Sequence, residues 1–234
     1  GILSLILSTQ NGSQSFFIDN ETQTYLDSLI PLLLLRYNIP NNEYFLGGFS
    51  LGGAGVVKYV QHCNTYSISP KPKAVFAIDP PLDFLRLYKV YERWYNDTSS
   101  YYYTNKPLYK SMLEKMQAIF QGDLNSAYLN YVQLSPFCIE DKNKFGVHLF
   151  ETMPITIFCE PDFEWAMQEK RWNAYDLNIM DNVSFINELQ LNGNKHANLK
   201  LTQNKGIRKL FNIKYPHAWS IADANYIVKW LLKY

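Results

Sequence analysis

One serine of this sequence stands in a pattern that suits a nucleophile. In the segment Gly48-Phe-Ser-Leu-Gly52, Ser50 lies where an apolar stretch, residues 44–49, meets a run of small residues that predicts a helix. A sharp turn there lifts the serine above the sheet, and glycines at 48 and 52 avoid collisions with neighbouring backbone. We predict that Ser50 is a catalytic serine and that Leu51 N–H, at the helix N-terminus, is the first donor to a developing oxyanion. The alternative is a small-residue turn without chemistry.

Four histidines are candidates for the base that would activate this serine. His62 lies twelve residues after Ser50 on the predicted helix, which places it about 18 Å away. His148 and His196 precede predicted strands, so they belong at the amino edge of a parallel sheet, whereas sites gather at the carboxyl edge. His217 follows the last predicted strand and precedes the last helix, and we predict that it is the base. Its alternative role is packing within a loop.

The acid that orients His217 should follow the carboxyl end of a strand. Asp162, which closes Ile157-Phe-Cys-Glu-Pro-Asp162, meets this condition, although an aspartate there could also be the N-cap of a helix. Asp79, at the end of an apolar strand, is the main rival, followed by Glu160. Two further aspartates are expected to be solvated or to cap helices: Asp83 and Asp176.

Aromatic side chains close to these positions in the sequence are candidate substrate-binding residues: Phe49, Trp165 and Trp219. The sequence has no metal-ligand spacing, phosphate-binding loop or dinucleotide fingerprint, so we predict neither a metal nor a cofactor.

Apolar strands and amphipathic helices alternate along most of the chain, which predicts an α/β fold with a mostly parallel sheet and flanking helices. The last helix is expected to begin at Ser220, where Ser220-x-x-Asp223 resembles a capping box. The predicted strands are 2–8, 44–49, 74–78, 155–159 and 199–202, and the predicted helices include about 21–37, 52–63 and 163–171.

The alternation stops at about residue 85 and resumes at about 153. This stretch predicts a helical insertion, or cap, that walls the pocket. Its aromatic side chains either pack the cap on the core, which we favour, or stack on substrate. They are Tyr88, Tyr91, Trp94, Tyr95, Tyr109, Tyr128 and Tyr131.

Composition limits the partners that the chain can bind. Its 234 residues, 47% hydrophobic and 18% charged, suit one globular domain. A net charge of +1 makes no electrostatic case for nucleic acid or an anionic membrane, so we expect a small neutral or apolar substrate. The apolar stretches 2–7 and 29–35 are too short to span a bilayer. Three widely separated cysteines predict buried thiols: Cys63, Cys138 and Cys159.

The chain begins with Gly1 rather than Met, and residues 1–8 resemble a strand already under way, ended by a turn signal at 10–13. No basic region or cleavage site of a signal peptide is present there. We expect that the beginning of the protein lies upstream of Gly1.

The order Ser50, Asp162, His217, together with the strand, turn and helix around Ser50, resembles the α/β-hydrolase superfamily over nearly the whole chain. The segment Tyr44-Phe-Leu-Gly-Gly-Phe-Ser-Leu-Gly-Gly-Ala-Gly55 is most similar to the esterase branch that includes feruloyl-esterase-like and other carboxylesterases. This resemblance implies a single α/β-hydrolase domain over 1–234 with a helical cap at about 85–153. It also implies ester hydrolysis through an acyl-enzyme, in which Ser50 attacks, His217 carries the proton and Asp162 holds His217.

One feature of that superfamily is absent from the sequence. Its second oxyanion donor comes from a His-Gly-rich loop after the third core strand, and no such motif occurs here. If 2–8 is the fourth strand, the first three lie upstream of Gly1, and the sheet has a gap. Two other functions remain open: a serine peptidase of the same fold, and a non-catalytic binding or structural domain.

Overall fold

The structure, a computed structural model, describes residues 2–7, 12, 14–41 and 43–234. Within these residues the main sheet has four parallel strands in the spatial order β1-β2-β3-β4. The register pairs Phe49 with Ile78 and Ile78 with Phe158, so β1, β2 and β3 reach the carboxyl edge at the same level. The strands are β1 Leu46–Phe49, β2 Val75–Ile78, β3 Ile155–Cys159 and β4 Ala197–Leu201.

Helices flank this sheet, so the chain has the α/β fold that the alternation predicts. In the described residues the α-helices are α1 Asn20–Arg36, α2 Leu51–Thr65, α3 Phe84–Asn96, α4 Ser100–Tyr103, α5 Lys106–Phe120, α6 Leu124–Leu134, α7 Phe163–Lys170, α8 Ile179–Leu191 and α9 Ala224–Leu231. Short 3₁₀ helices cover His148–Phe150, Ala174–Asp176 and Trp219–Ile221, and an antiparallel hairpin pairs β5 Ile207–Arg208 with β6 Ile213–Lys214.

The central strands of the sheet are covered on both faces, and their residues are correspondingly apolar. All five residues of β3, which are mainly β-branched or aromatic, are buried. On one face the largest hydrophobic cluster joins the sheet to α2 and α8, with Val57 and Phe185 at 0% exposure. On the other face Ile78 and Phe158 pack with Ile221, close to α9.

Helices α3–α6 fill the interval between β2 and β3, where the sequence predicts an insertion. They contribute to the same large cluster as α2, through Phe84, Phe120 and Tyr131. A second cluster of buried rings joins α3 to α4 and α5, and in it Trp94 stacks on Trp172 at 5.0 Å. Most aromatic side chains of this interval therefore pack against protein, although Tyr128 is 40% exposed.

Two predictions about the chain's elements are wrong. Residues 2–7 form no strand, and Ile6 is 99% exposed, while Ser8 and most of the turn signal at 10–13 lie outside the described residues. Helix α9 begins after Asp223, whose carboxylate accepts a hydrogen bond from Tyr226 N–H. Ser220 does not cap that helix, because its hydroxyl bonds the backbone of Ile207 instead.

The three cysteines are buried and free, as the sequence predicts. No helix in the described part of the chain combines the length and the apolar character needed to cross a membrane.

A buried charge network fixes the loop that follows β2. The Asp181 carboxylate accepts hydrogen bonds from the Leu82 and Asp83 N–H groups and from the Arg86 guanidinium, at 2.5–3.1 Å. Both charged side chains of the Arg86–Asp181 pair are at most 2% exposed. Asp83 caps α3, and its burial beside Asp181 raises its pKa to about 6. The network therefore ties α3 and α8 to residues 82–83.

Asp181→Asn is expected to lower the free energy of unfolding by about 3–5 kcal/mol, because it leaves the Arg86 guanidinium buried without its counter-charge. Urea unfolding would measure the loss. Glu114→Gln is the matched control: its exposed i,i+4 pair with Lys110 is worth about 0.5 kcal/mol or less. Equal effects of the two changes would contradict the structural role of Asp181.

Candidate functional site

Ser50 lies in a strained turn between β1 and α2. Its backbone has φ 54° and ψ −125°, a conformation that a residue with a side chain rarely adopts. The turn is fixed by a hydrogen bond from Ser50 N–H to Ile78 O at 2.9 Å. The Ser50 hydroxyl makes no capping hydrogen bond to α2, so it is free for another partner. Leu51 is the first residue of α2, where a backbone N–H has no intrahelical acceptor.

The two glycines of the motif have different surroundings. A Cβ added at Gly48 would lie 2.2 Å from Gly52 O and 2.5 Å from Gly53 N, which are backbone atoms that cannot move aside. A Cβ added at Gly52 would meet nothing within 4 Å. The expected collision therefore occurs at Gly48 and not at Gly52, since the space outside the first turn of α2 is open.

His217 reaches Ser50 from the segment that follows the β5–β6 hairpin. Its Nε2 lies 3.0 Å from Ser50 Oγ, and its ring packs against that of Phe49 with 4.7 Å between centroids. The preceding Pro216 is buried against Gly206, where an added Cβ would lie 2.5 Å from Pro216 Cα. This close approach fixes the loop, and with it the imidazole, over the carboxyl edge of the sheet.

Asp79 is the carboxylate that contacts His217. Its Oδ2 lies 2.6 Å from His217 Nδ1, and the aspartate follows β2 directly, opposite Ser50 in the register. The Asp79 backbone also has a positive φ, 45°. Its N–H donates to Phe158 O at 2.8 Å, and Asn178 Nδ2 donates to its carbonyl at 3.0 Å. Nothing in the sequence around Asn178 pointed to this contact.

Asp162 does not contact His217. The carboxylate predicted there for Asp162 is instead that of Asp79. Asp162 caps α7, accepting a hydrogen bond from Trp165 N–H at 3.0 Å, and its Oδ2 lies 2.5 Å from Lys214 Nζ. Burial raises the pKa of Asp162, but the bonds from Lys214 and Trp165 outweigh this, and the pKa is lowered. Asp162 does not reach His217 because β3, which it follows, lies two strands from β1, about 10 Å across the sheet.

The other candidate acid and the other candidate bases contact different partners or lie elsewhere in the fold. The buried Glu160 carboxylate accepts hydrogen bonds from the Lys205 and Gly206 N–H groups at 2.8 and 2.9 Å. His62 pairs with Asp27 at 2.7 Å near the far end of α2. Of the remaining histidines, His196 directly precedes β4 and His148 lies in a 3₁₀ helix before β3.

A pocket opens behind the histidine, on the side of Asp79. Asp79 and His217 line it together with Trp165 and Trp172. Of the aromatic candidates, Trp165 therefore lines this pocket, whereas Phe49 lies between His217 and the 60% exposed Trp219, with 5.1 Å between the Phe49 and Trp219 rings. The other lining residues are Cys159, Glu160, Pro161, Asp162, Leu177, Ile179 and Pro216.

The polar groups beneath Asp79 add no second charge. Burial, and then the nearby Asp79 carboxylate, holds the pKa of the Cys159 thiol well above its usual range, so this thiol is neutral. Asn182 Nδ2 lies 3.2 Å from Cys159 Sγ. Ser50, His217 and Asp79 thus form a hydrogen-bonded chain that could carry a proton from the hydroxyl to the imidazole and stabilise the resulting imidazolium.

The described residues contain no group of three or more His, Cys, Asp or Glu side chains arranged to hold a metal ion.

Comparison with known proteins finds similarity among solved structures. No family model matches the sequence, and no curated protein matches it. Among solved structures the chain is similar to a thermostable esterase, with a TM-score of 0.47 and 15% sequence identity over 94% of this chain. The match covers 39% of that esterase, so this chain spans about two-fifths of its length.

Gly48→Ala and Gly52→Ala are expected to change stability in opposite directions. Alanine at 48 forces the turn apart, and overpacking of this kind costs about 1–3 kcal/mol. Alanine at 52 enters open space in a helix, where it gains about 0.5–1 kcal/mol over glycine. Thermal unfolding of the two variants beside the parent measures both shifts. A Gly48→Ala protein as stable as Gly52→Ala would show that the turn lacks the described geometry.

Proposed function

We propose that this protein is a serine hydrolase that cleaves a carboxylic ester, with Ser50 as nucleophile, His217 as base and Asp79 as the acid that orients it. The observation that carries the proposal is the hydrogen-bonded chain from Ser50 Oγ through the imidazole to the Asp79 carboxylate. The strained backbone of Ser50 at the start of α2 supports it, because such a turn presents the hydroxyl beside unpaired N–H groups. Asp162 is not part of this assignment.

In the first half of the reaction Ser50 Oγ attacks the ester carbonyl and its proton passes to His217 Nε2. The carbonyl oxygen becomes an oxyanion, which the Leu51 N–H and the N-terminus of α2 stabilise. The bond to the alcohol oxygen then breaks, His217 protonates the leaving alkoxide, and an acyl-serine remains. Asp79 accepts the hydrogen bond from His217 Nδ1–H and so holds this tautomer, which leaves Nε2 free to accept the serine proton.

In the second half water replaces the alcohol. His217 Nε2 takes a proton from water as its oxygen attacks the acyl carbon, and the acyl–Oγ bond breaks. The same proton returns to Ser50 Oγ, so the carboxylic acid leaves and the enzyme is restored. The proton that leaves and later returns to Ser50 moves between two atoms, Ser50 Oγ and His217 Nε2, that lie 3.0 Å apart.

The proposal extends to the fold and the substrate. The order Ser50, Asp79, His217 along the chain keeps the nucleophile, acid, histidine order of the α/β-hydrolases, and we assign the chain to that fold as one domain. Helices α3–α6 form its cap, because Trp94 of α3 stacks on Trp172, a wall of the pocket. A net charge of +1 gives no electrostatic preference for a charged molecule, so a small neutral ester is the proposed substrate.

A fluorophosphonate probe should label the protein at Ser50, because an activated serine displaces the fluoride and keeps the phosphonyl group. Mass spectrometry of the digested protein would find the label on the peptide that contains residue 50, and Ser50→Ala should abolish it. Labelling that persists in Ser50→Ala, or its absence from the parent protein, would refute the hydrolase assignment.

Asp79→Asn is expected to lower kcat for p-nitrophenyl acetate by about 10³–10⁴-fold, because asparagine no longer fixes the productive tautomer of His217. Asp162→Asn is the matched control. Asparagine caps a helix as well as aspartate does, so α7 keeps its N-cap and only the exposed contact with Lys214 is lost.

Asp162→Asn should therefore leave kcat unchanged while Asp79→Asn abolishes most of it. Circular dichroism of both variants checks that each is folded. The reverse result, with activity lost at residue 162 and kept at residue 79, would return the role of the acid to Asp162.

A further inference from the structure

The β5–β6 hairpin exposes an unusual amount of apolar surface. Leu210 and Phe211, in its turn, are 86% and 65% exposed, and Ile213 and Ile207 on its strands are 55% and 39% exposed. We call these four side chains the hairpin tip. Large apolar side chains that are exposed together mark an interaction site far more often than ones scattered singly.

The same segment has a concentrated positive charge. Residues 203–222 contain no aspartate or glutamate but include four cations: Lys205, Arg208, Lys209 and Lys214. Lys214 is neutralised by Asp162, and the Arg208 guanidinium lies 3.6 Å from the centroid of the Tyr215 ring. Lys209 directly precedes the exposed Leu210. The apolar tip is therefore flanked by cations, in a chain whose net charge is only +1.

The base of the hairpin is anchored to the carboxyl edge of the main sheet. Tyr215 N–H donates to Gly206 O at 2.8 Å, and the buried Glu160 carboxylate accepts from Gly206 N–H at 2.9 Å. Ser220 Oγ lies 2.7 Å from Ile207 N and 2.6 Å from Lys205 O. A hairpin with so few paired residues gains little order from its own strands, so these anchors set its position.

The exposed surface continues from the hairpin to His217. Strand β5 contacts the 3₁₀ turn that begins at Trp219, a residue that is 60% exposed. The Trp219 ring packs on Phe49, which in turn packs on the His217 imidazole. Whatever covers the hairpin tip therefore lies on the same edge of the sheet as the half-buried Ser50.

The combination of side chains favours one kind of partner. A nucleic acid or another soluble polyanion needs the cations but has no use for exposed Leu and Phe. A protein interface uses apolar side chains but is depleted in lysine at its centre. Apolar side chains at a tip, cations around them and a tryptophan beside them suit the boundary between lipid headgroups and acyl chains, where tryptophan is enriched.

We propose that the hairpin tip, with Lys205, Arg208 and Lys209, is a docking surface for an anionic phospholipid bilayer. Leu210 and Phe211 enter the headgroup region, and the cations contact the lipid phosphates and carboxylates. Docking places this edge of the sheet at the membrane interface, where the half-buried Ser50 can receive ester molecules that partition into lipid. The docking surface is independent of the proposed chemistry, since its side chains take no part in the Ser50–His217–Asp79 chain.

Sedimentation with vesicles tests this directly. The Ser50→Ala protein, which cannot hydrolyse the lipid, is mixed with vesicles of phosphatidylcholine alone or of equal parts phosphatidylcholine and phosphatidylserine. It should bind the anionic vesicles, and high salt should weaken the binding. Phe211→Ser and Lys209→Glu, each added to Ser50→Ala, should each lower the partition coefficient about tenfold or more, because one removes an apolar side chain that enters the bilayer and the other reverses a contacting charge.

Leu191→Ser and Lys195→Glu are the matched controls. Both residues are exposed, Leu191 at 74%, and both precede β4, at the sheet edge opposite the hairpin. These changes should leave vesicle binding unaltered. Phe211→Ser in the protein with Ser50 intact should leave turnover of soluble p-nitrophenyl acetate unchanged.

Three results would overturn the proposal. Vesicle binding that is absent, or equal in Phe211→Ser, Lys209→Glu and the controls, would remove the hairpin from any lipid contact. Binding to heparin but not to anionic vesicles would identify a soluble polyanion as the partner. Light scattering that finds a dimer in the parent and a monomer in Phe211→Ser would show that a second copy of the chain covers the tip. Because Ser50→Ala is used, none of these results depends on whether the protein is a hydrolase.

Discussion

The position of the His217 imidazole between two oxygens is the constraint on which the rest of this site depends. Nδ1 lies 2.6 Å from the Asp79 carboxylate and Nε2 lies 3.0 Å from the Ser50 hydroxyl, although 138 and 167 residues separate the histidine from these partners. A neutral imidazole can accept a proton at one nitrogen only while the other keeps its own. The sheet meets this requirement by ending β1 and β2 at the same level, so that Ser50 and Asp79 face one loop.

That arrangement costs stability at two adjacent points. Ser50 and Asp79 both have positive φ, and each such residue costs of the order of 1–3 kcal/mol. The backbone holds them through hydrogen bonds to the next strand, from Ser50 N–H to Ile78 O and from Asp79 N–H to Phe158 O. The Asn178 side chain holds the Asp79 carbonyl, and the Arg86–Asp181 pair holds the residues that follow. The buried ions near α8 thus support a strained edge that the apolar core alone would not specify.

The sequence predicted helices and strands well where residues only a few positions apart determine them. The helix after Ser50 and strands β2 and β3 were predicted to within one or two residues at each end, because small-residue, β-branched and apolar periodicities act over a few neighbours. The histidine that contacts Ser50, His217, was predicted by excluding three other histidines, which needs only the order of strands and helices. Residues 2–7 show the limit of this reasoning. An apolar run becomes a strand only where a partner offers hydrogen bonds, and no described strand pairs with these residues.

The choice of Asp162 and the use of net charge share one limit, since each drew a spatial conclusion from an order or a sum along the chain. Asp162 and Asp79 each follow a strand, and only the pairing of β2 with β1 distinguishes them. In the same way a net charge of +1 averages the cations of residues 203–222 with carboxylates elsewhere. An approaching surface responds to charge within about a Debye length, about 8–10 Å, and not to the total. Strand adjacency, and not chain order, therefore determines which carboxylate meets the histidine, and local charge, not composition, governs what the proposed docking surface would attract.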